Sequence, residues 1–248
     1  MEGLTLEGRT ALVTGGAGGI GSQICRDLAA LGARVLVVDL NEEGATQVAG
    51  ELPDAKAFAV DLSDPSSIDE LVGRVGEAHE VDVLVNNAGW DKVGPFVKSD
   101  PGLWDRLIGI NLRAPIQLTY AFLPSMLERG WGRLVHVSSD AARVGSTGEA
   151  VYGACKAGLL GFSKTIARES ARGSVTSNVV CPGPSDTPLL REVAEGNPKL
   201  VEALEKAIPL RRLGLPRDVA GMVAFLCSER AEYITGQTVS VSGGLTMV

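Results

Sequence analysis

RTALVTGGAGGIGSQICRDLAALGARVLVVD, residues 9–39, decides the fold. TALVT (10–14) is a short apolar run that passes directly into Gly15, Gly16, Gly18, Gly19 and Gly21. A helical stretch follows, with Ile20, Ile24, Leu28 and Leu31 on one stripe and Gly32 as its stop. RVLVVD (34–39) is a second apolar run, closed by Asp39. Strand, glycine turn, helix, strand is a βαβ unit, and its two strands are parallel.

The same alternation continues along the chain. KAFAVD (56–61), VDVLVNNA (81–88), RLVHVSS (133–139), TSNVVCPG (176–183) and TVSVSGG (238–244) read as further strands. Most are near-continuously apolar, as strands covered on both faces must be. Between them, SDPSSIDELVGRV starts with Ser63 or Asp64 as cap and Pro65 in the first turn. Its apolar stripe is Ile68, Leu71, Val72 and Val75, and Asp100–Pro101 repeats the start signal. The expectation is an α/β fold: one Rossmann-type domain over 1–248, with a doubly wound parallel sheet of about seven strands and helices on both faces. Residues 183–219 hold five prolines and no clear strand. They read as a substrate-covering segment.

Of 248 residues, 45% are hydrophobic and 4% aromatic, enough for one sizeable core. A net charge of −7 with scattered Lys and Arg gives no support for nucleic-acid binding. MEGLTLEGR carries Glu2 and Glu7 and no apolar stretch of a signal peptide, and no run is long enough to span a membrane. Cys25, Cys155, Cys181 and Cys227 lack CxxC spacing and read as reduced, buried thiols. A soluble cytoplasmic protein is expected.

Glycines after a strand let backbone approach a diphosphate, and the following helix N-terminus offers free N–H groups and partial positive charge. An acid closing the next strand, Asp39, can accept from both hydroxyls of an adenosine ribose and would repel a 2′-phosphate. No Lys or Arg stands in TGGAGGIG or in Asp39–Gly44. NAD is therefore expected over NADP. Asp61 closes the third strand similarly, either to orient the adenine or to cap the next helix. NNAG (86–89) suits a backbone wall beside the cofactor, or is an Asn-rich turn.

Tyr152 and Lys156 lie one helical turn apart in VYGACKAG. A free phenol titrates near ~10, and a neighbouring ammonium favours its ionised form. Ser139, 13 residues earlier at a strand end, can hold a substrate oxygen while Tyr152 moves the proton. Asn111 in LIGINLRA is mid-helix, either a satisfied core amide or the holder of a relay water. His136 stands three residues before Ser139 on one strand, so the two face oppositely. With no GxSxG elbow, a serine-hydrolase triad is not expected. No His/Cys/Asp group has metal-ligand spacing.

As an ordered set covering nearly the whole chain, these features resemble the short-chain dehydrogenase/reductase family. The set also includes Pro182-Gly183 with Thr187, and YITGQTVSVSGG (233–244). The resemblance implies that Ser139 positions the reacting oxygen and Tyr152 is the acid/base. Lys156 would bind the nicotinamide ribose and lower the tyrosine pKa, and Asn111 would hold a relay water. Tyr152 and Lys156 thus belong to the cofactor set as well. The dinucleotide would lie along Gly15, Gly18, Gly19, Ile20 and Gly21, then Asp39 with Leu40, Asp61 with Leu62, and Asn87, Ala88 and Gly89. Pro182, Gly183 and Thr187 would hold its carboxamide end. Family members are usually homotetramers, built through the helices carrying Asn111 and Tyr152 and through the last strand. Ser177 departs from the apolar residue usual at its position, at an expected cost in packing.

NNAGWDKVGPF, SSDAARVGSTGEAVYGACKAG, VCPGPSDTPLL and SVSGGLTM further resemble the 2-hydroxycyclohexanecarboxyl-CoA dehydrogenases of alicyclic acid degradation. The implied substrate is a cyclic alcohol β to a CoA thioester. Arg143, Arg191, Lys199, Arg211 and Arg212 are then candidate partners for the CoA phosphates, or solvated surface charges. A 3-oxoacyl-thioester reductase or another cyclic-alcohol dehydrogenase uses the same machinery. A dinucleotide sensor without catalysis would show a degraded Ser/Tyr/Lys set, and here that set is intact.

Overall fold

The computed structural model describes residues 3–195 and 198–248. Met1, Glu2 and, within the predicted 183–219 segment, Gly196 and Asn197 lie outside the described residues. The chain runs β1 (Thr10–Thr14), α1 (Gly19–Ala30), β2 (Arg34–Asp39), α2 (Glu42–Gly50), β3 (Ala55–Ala59), α3 (Pro65–Gly76) and β4 (Val83–Asn86). It continues through α4 (Trp104–Ile108), α5 (Ala114–Arg129), β5 (Gly132–Val137), α6 (Ala141–Val144), α7 (Ala150–Ser170) and β6 (Val175–Pro182). It closes with α8 (Pro188–Glu195), α9 (Pro198–Ala207), α10 (Pro216–Cys227) and β7 (Thr238–Val241). The strands form one seven-stranded sheet of order β3-β2-β1-β4-β5-β6-β7, parallel at every pairing.

Alternation along each strand sorts the core into two layers. Val13, Val35, Val37, Val83 and Val85 face α1 and α10, packing with Ile24, Leu28, Val219 and Val223. Leu12, Leu36, Leu84 and Leu134 face α3 and α5, against Ile68, Leu71, Leu118 and Met126. Each such fully buried aliphatic contributes about 1.5–3 kcal/mol. Every strand except β3 and β7 is thus buried on both faces, which explains its unbroken apolar run. The four cysteines are buried and unpaired. Among the described residues no helix is long and apolar enough to cross a membrane.

Several predicted strands end early, each for a visible reason. The run at 81–88 stops at Asn86 because Asn87 turns back to donate to Thr14. The run at 133–139 stops at Val137, where the chain bends into α6 and Ser139 accepts from Ala141 N–H. The run at 238–244 stops at Val241 because Gly243 and Gly244 have φ of +62° and +87°. Asp64, not Ser63, caps α3, accepting from Ser66 N–H at 3.0 Å. Ser177 costs no orphaned hydroxyl: its Oγ lies 2.8 Å from Ser163 Oγ, both buried.

The chain reverses its winding between β1 and β4, the neighbouring strands from which the connections run in opposite directions. A crevice opens there at the strands' carboxyl ends. Farther along that edge, the excursion bearing α8 and α9 is pinned at its base. Gly214 N–H donates to Pro184 O at 2.9 Å and Asp186 N–H to Gly214 O at 2.8 Å.

Candidate active site

The glycine turn after β1 is built for close approach. Gly15 has φ +65°, a left-handed conformation that suits glycine. A Cβ on Gly21 would sit 1.9 Å from Gly15 O, so nothing larger fits beneath the turn. The first turn of α1 has no side-chain cap and no acidic residue. Its leading N–H groups therefore remain for an anionic guest, which fits the diphosphate of a dinucleotide. Thr187 and Pro188 arrive over this turn: a Cβ on Gly19 would lie 3.4 Å from Thr187 Cγ2 and 3.3 Å from Pro188 Cδ.

Asp39 ends β2 beside the same turn. Its Oδ2 accepts from Ala17 N–H at 2.9 Å and its Oδ1 from Asn41 N–H at 3.0 Å, which fixes the carboxylate's direction. Leu40 is exposed next to it. Asp61 accepts from the Ser63 N–H at 2.8 Å and the Ser63 hydroxyl at 2.6 Å. These bonds hold its carboxyl below the usual range, helped by Arg106. The cap role weighed for Asp61 falls to Asp64. Leu62 is buried in the layer facing α3 and α5, and Ile20 packs against the layer facing α1 and α10, so mainly their backbones remain for a ligand.

Asn87, Ala88 and Gly89 form the opposite wall. Thr14 Oγ1 accepts from Asn87 N–H (3.0 Å) and Ala88 N–H (3.1 Å), and Asn87 Nδ2 donates to Thr14 O (2.9 Å) and Gly15 O (3.2 Å). The Asn87 amide thus ties the wall to the glycine turn rather than facing a ligand. Thr14, the first residue of TGGAGGIG, was given no role from the sequence; its signal is a hydroxyl as the last strand residue before the glycines.

Ser139, Tyr152, Lys156 and Asn111 come together at the carboxyl ends of β4 and β5. Lys156 is buried, and its ammonium donates to Val137 O at 3.0 Å and Ala88 O at 3.4 Å. A Cβ on Gly89 would lie 3.2 Å from both Lys156 Nζ and Asn111 Oδ1. The Lys156 ammonium stands 5.8 Å from the centre of the Tyr152 ring. Ser138, not singled out in the sequence, donates its hydroxyl to Lys156 O at 2.8 Å and so clamps α7 to the end of β5. Asn111 lies in a π-helical stretch, Gly109–Arg113, between α4 and α5. Its Nδ2 takes the Leu107 carbonyl one turn back (3.0 Å) and the Trp90 carbonyl (2.7 Å), while its Oδ1 accepts from Trp90 N–H (3.2 Å). A side chain inserted into the helix ladder widens it by one residue.

The electrostatics depart from expectation in one respect. The Tyr152 phenol is pushed above its ordinary value, first by burial and then by Glu149, with Asp91 adding to the rise; hydrogen bonding to Ser139 opposes them. Burial also pushes Lys156 down to about 8. The lysine's charge is spent on the Val137 and Ala88 carbonyls, so it does not bring the phenol down as anticipated. His136 is buried, 3.1 Å from Asn86 Nδ2 and edge-on to Phe162 of α7, and desolvation lowers it to about 4. It is a neutral packing residue.

Pro182 and Gly183 end β6, with Gly183 N–H donating to Val241 O at 3.1 Å. A Cβ on Gly183 would lie 2.9 Å from Ser242 Cα, so this turn is as close-packed as the first. The cations considered for a CoA moiety are mostly committed. Arg143 donates to Ser240 Oγ at 2.8 Å, Arg191 pairs with Asp186 at 2.8 Å, Arg212 pairs with Asp218 at 2.6 Å, and Arg211 bonds the Lys206 carbonyl. Lys199 is exposed.

Residues 15–246 match the family model described as enoyl-(acyl carrier protein) reductase. Nodulation protein G of Rhizobium sp. (strain N33) is 42% identical over 246 residues, covering 98% of this chain and 99% of that protein. The structure of 3-ketoacyl-(acyl-carrier-protein) reductase from Brucella melitensis complexed with NADH superimposes with a TM-score of 0.91 at 33% identity, over 98% of this chain and all of that one. An NAD(P) dependent gluconate 5-dehydrogenase assignment accompanies a structure from Beutenbergia cavernae with bound NADP, again with a TM-score of 0.91, 33% identity and 98% of both chains covered. The glycine turn, the Ser/Tyr/Lys cluster and these likenesses together make the chain a member of the short-chain dehydrogenase/reductase family, an oxidoreductase that works with a nicotinamide cofactor.

Proposed function

We propose that the protein is an NAD-dependent oxidoreductase acting between a secondary alcohol and its ketone, with a β-hydroxyacyl or β-oxoacyl thioester as substrate. The narrower form of this reading is a cyclic 2-hydroxyacyl-CoA such as 2-hydroxycyclohexanecarboxyl-CoA. A linear 3-oxoacyl thioester is the other form, favoured by the Brucella relative's described activity. The observation that supports the chemistry most is the convergence of Ser139, Tyr152, Lys156 and Asn111 beside Gly89, across the crevice from the glycine turn.

In this reading a bound nicotinamide cofactor would supply or accept the hydride at the substrate carbon. Ser139 holds the substrate oxygen by its hydroxyl. Tyr152 gives its phenolic proton to that oxygen in reduction and takes it back in oxidation. Lys156, pinned to two carbonyls, binds the cofactor ribose with its remaining donor. Asn111 locks Trp90 and so shapes the floor of the site; its own backbone remains to hold a relay water. Asp39 accepts from the adenosine ribose and disfavours a 2′-phosphate, which supports NAD. The α8–α9 excursion covers the substrate; the cavity of about 490 Å³ beneath it, lined by Leu190, Val201, Leu213 and Leu215 among others, is lined by none of Ser139, Tyr152 or Lys156. A cytoplasmic homotetramer is the working form, and the exposure of Ile108, Ile116 and Tyr120 on the Asn111 side supports burial there against another copy.

The test is Tyr152→Phe. Turnover of a ketone panel with NADH is lost, while NADH binding followed by fluorescence is retained. Full activity in the variant would remove the tyrosine from the mechanism.

A further inference from the structure

Asp140 follows Ser139 directly and opens α6, yet it does not cap that helix. An aspartate at a helix start ordinarily accepts from the first free N–H groups. Here the Ala141 N–H goes to Ser139 Oγ at 3.2 Å, and the Asp140 side chain makes no cap hydrogen bond. Its Oδ1 instead accepts from the hydroxyl of Ser240 on β7 at 2.6 Å, 100 residues along the chain. Ser240 Oγ in turn accepts from Arg143 Nη1 at 2.8 Å. Asp140 is 6% exposed, and its Oδ2 is buried with no donor. A buried carboxylate with one side-chain donor is a cost to the fold. Polar satisfaction is broken chiefly at functional sites, and this carboxylate adjoins the catalytic serine.

The bonds around Asp140 close into a circuit across the ends of three strands. Its N–H donates to Pro182 O at 3.1 Å, at the end of β6. Pro182 leads into Gly183, whose N–H donates to Val241 O at 3.1 Å. Val241 follows Ser240 on β7, and Ser240 returns to Asp140. A Cβ on Gly183 would lie 2.9 Å from Ser242 Cα and 3.6 Å from Asp140 Oδ2, so the turn is seated between β7 and the carboxylate. Hydride transfer depends on both ends of this circuit. Ser139 holds the substrate oxygen, and the Pro182–Gly183 turn holds the nicotinamide end. A displacement of about 1 Å between such points costs about 10²-fold in rate.

We propose that Asp140 is a positioning residue that fixes the spacing between Ser139 and the Pro182–Gly183 turn by tying both to Ser240 of β7. It thereby sets how closely the substrate carbon approaches the nicotinamide ring. The inference rests on the reading of Ser139 as the holder of the substrate oxygen and of this turn as the seat of the carboxamide end. Asp140 touches neither substrate nor cofactor and acts through its neighbours. Arg143 supplies the counter-charge through the Ser240 hydroxyl, so it serves the circuit rather than a substrate phosphate.

The test follows Asp140→Ala, Ser240→Ala and Ser240→Thr through a single turnover. Enzyme in excess over NADH is mixed with saturating ethyl acetoacetate, and the loss of NADH absorbance is read by stopped flow. The amplitude counts folded, loaded sites, and the first-order rate constant reads the chemistry. Both alanine variants lose about tenfold or more in the rate constant at unchanged amplitude, while Ser240→Thr, which keeps the hydroxyl, stays within about threefold of wild type. Wild-type rate constants in the alanine variants, or a loss confined to the amplitude, overturn the proposal. A second arm needs no turnover. NADH and ADP-ribose, which lacks the nicotinamide, are titrated into wild type and Asp140→Ala by calorimetry. NADH binding weaker by about threefold or more, with ADP-ribose binding unchanged, supports the circuit. Equal weakening of both ligands, or no change in either, overturns it. Absence of ketone reduction by wild type, with that selective binding defect present, would strike the proposed activity and leave the circuit standing.

Discussion

Lys156→Met separates what the site costs the fold from what it contributes to chemistry. Lys156 is 2% exposed, and burial lowers its pKa from 10.5 to about 8. Below about pH 8 the ammonium is charged in both folded and unfolded chains, so the fold carries the whole desolvation penalty, about 3 kcal/mol at about 1.36 kcal/mol per pH unit. Between about pH 8 and 10.5 the unfolded chain binds the extra proton, so stability rises with pH; above 10.5 both forms are neutral and the penalty is gone. Methionine keeps the unbranched shape without the charge, but leaves the Val137 and Ala88 carbonyls without their donor, at about 1 kcal/mol each. The variant is therefore about 1 kcal/mol more stable than wild type near neutral pH, and inactive. The sharper quantity is the change with pH, because the carbonyl loss cancels from it. The stability difference between variant and wild type shifts in favour of wild type by about 2–3 kcal/mol between about pH 7 and pH 10. Urea unfolding of both proteins across that range measures it. A difference that stays flat with pH would refute the claim that a charged, desolvated lysine is stored in this site.

Asp39→Ala raises the KM for NAD about tenfold by removing the acceptor for the ribose hydroxyls, and adding Leu40→Arg moves preference toward NADP; wild type that already works better with NADP would contradict the assignment. Ser177→Ala leaves the buried Ser163 hydroxyl unpaired and costs about 1–3 kcal/mol in urea unfolding, whereas the double change to alanine at 163 and 177 is close to neutral; additive losses would show that the hydroxyl pair does not interact. Because the phenol is held above its ordinary value, ketone reduction, which needs the neutral form, stays level through mildly alkaline pH while alcohol oxidation climbs; an oxidation rate that levels off below neutral pH would contradict that.

The fold was legible because its main signal is local. Strands buried on both faces must be continuously apolar, and RVLVVD at 34–39 matches β2 residue for residue. Strand ends were less legible, because they are set by partners distant in sequence. Asn86 ends β4 since Asn87 is drawn back to Thr14, 73 residues away. The π-helical stretch at Gly109–Arg113 was likewise hidden. It depends on Asn111 reaching Trp90, and nothing in LIGINLRA records that.

The site divides along the same line. Tyr152 and Lys156 share a helix, and spacing alone put them together. Charge balance is another matter, because it sums over elements that spacing cannot relate. From sequence, the arginines after Gly183 were candidate partners for CoA phosphates or solvated surface charges, and the tyrosine had a cationic neighbour. In the fold Arg191 and Arg212 are neutralised by Asp186 and Asp218, acids that lie five and six residues from them. Around the phenol, Asp91 and Glu149 stand 58 residues apart in the chain yet both push the Tyr152 pKa up, while Lys156 is bound to carbonyls.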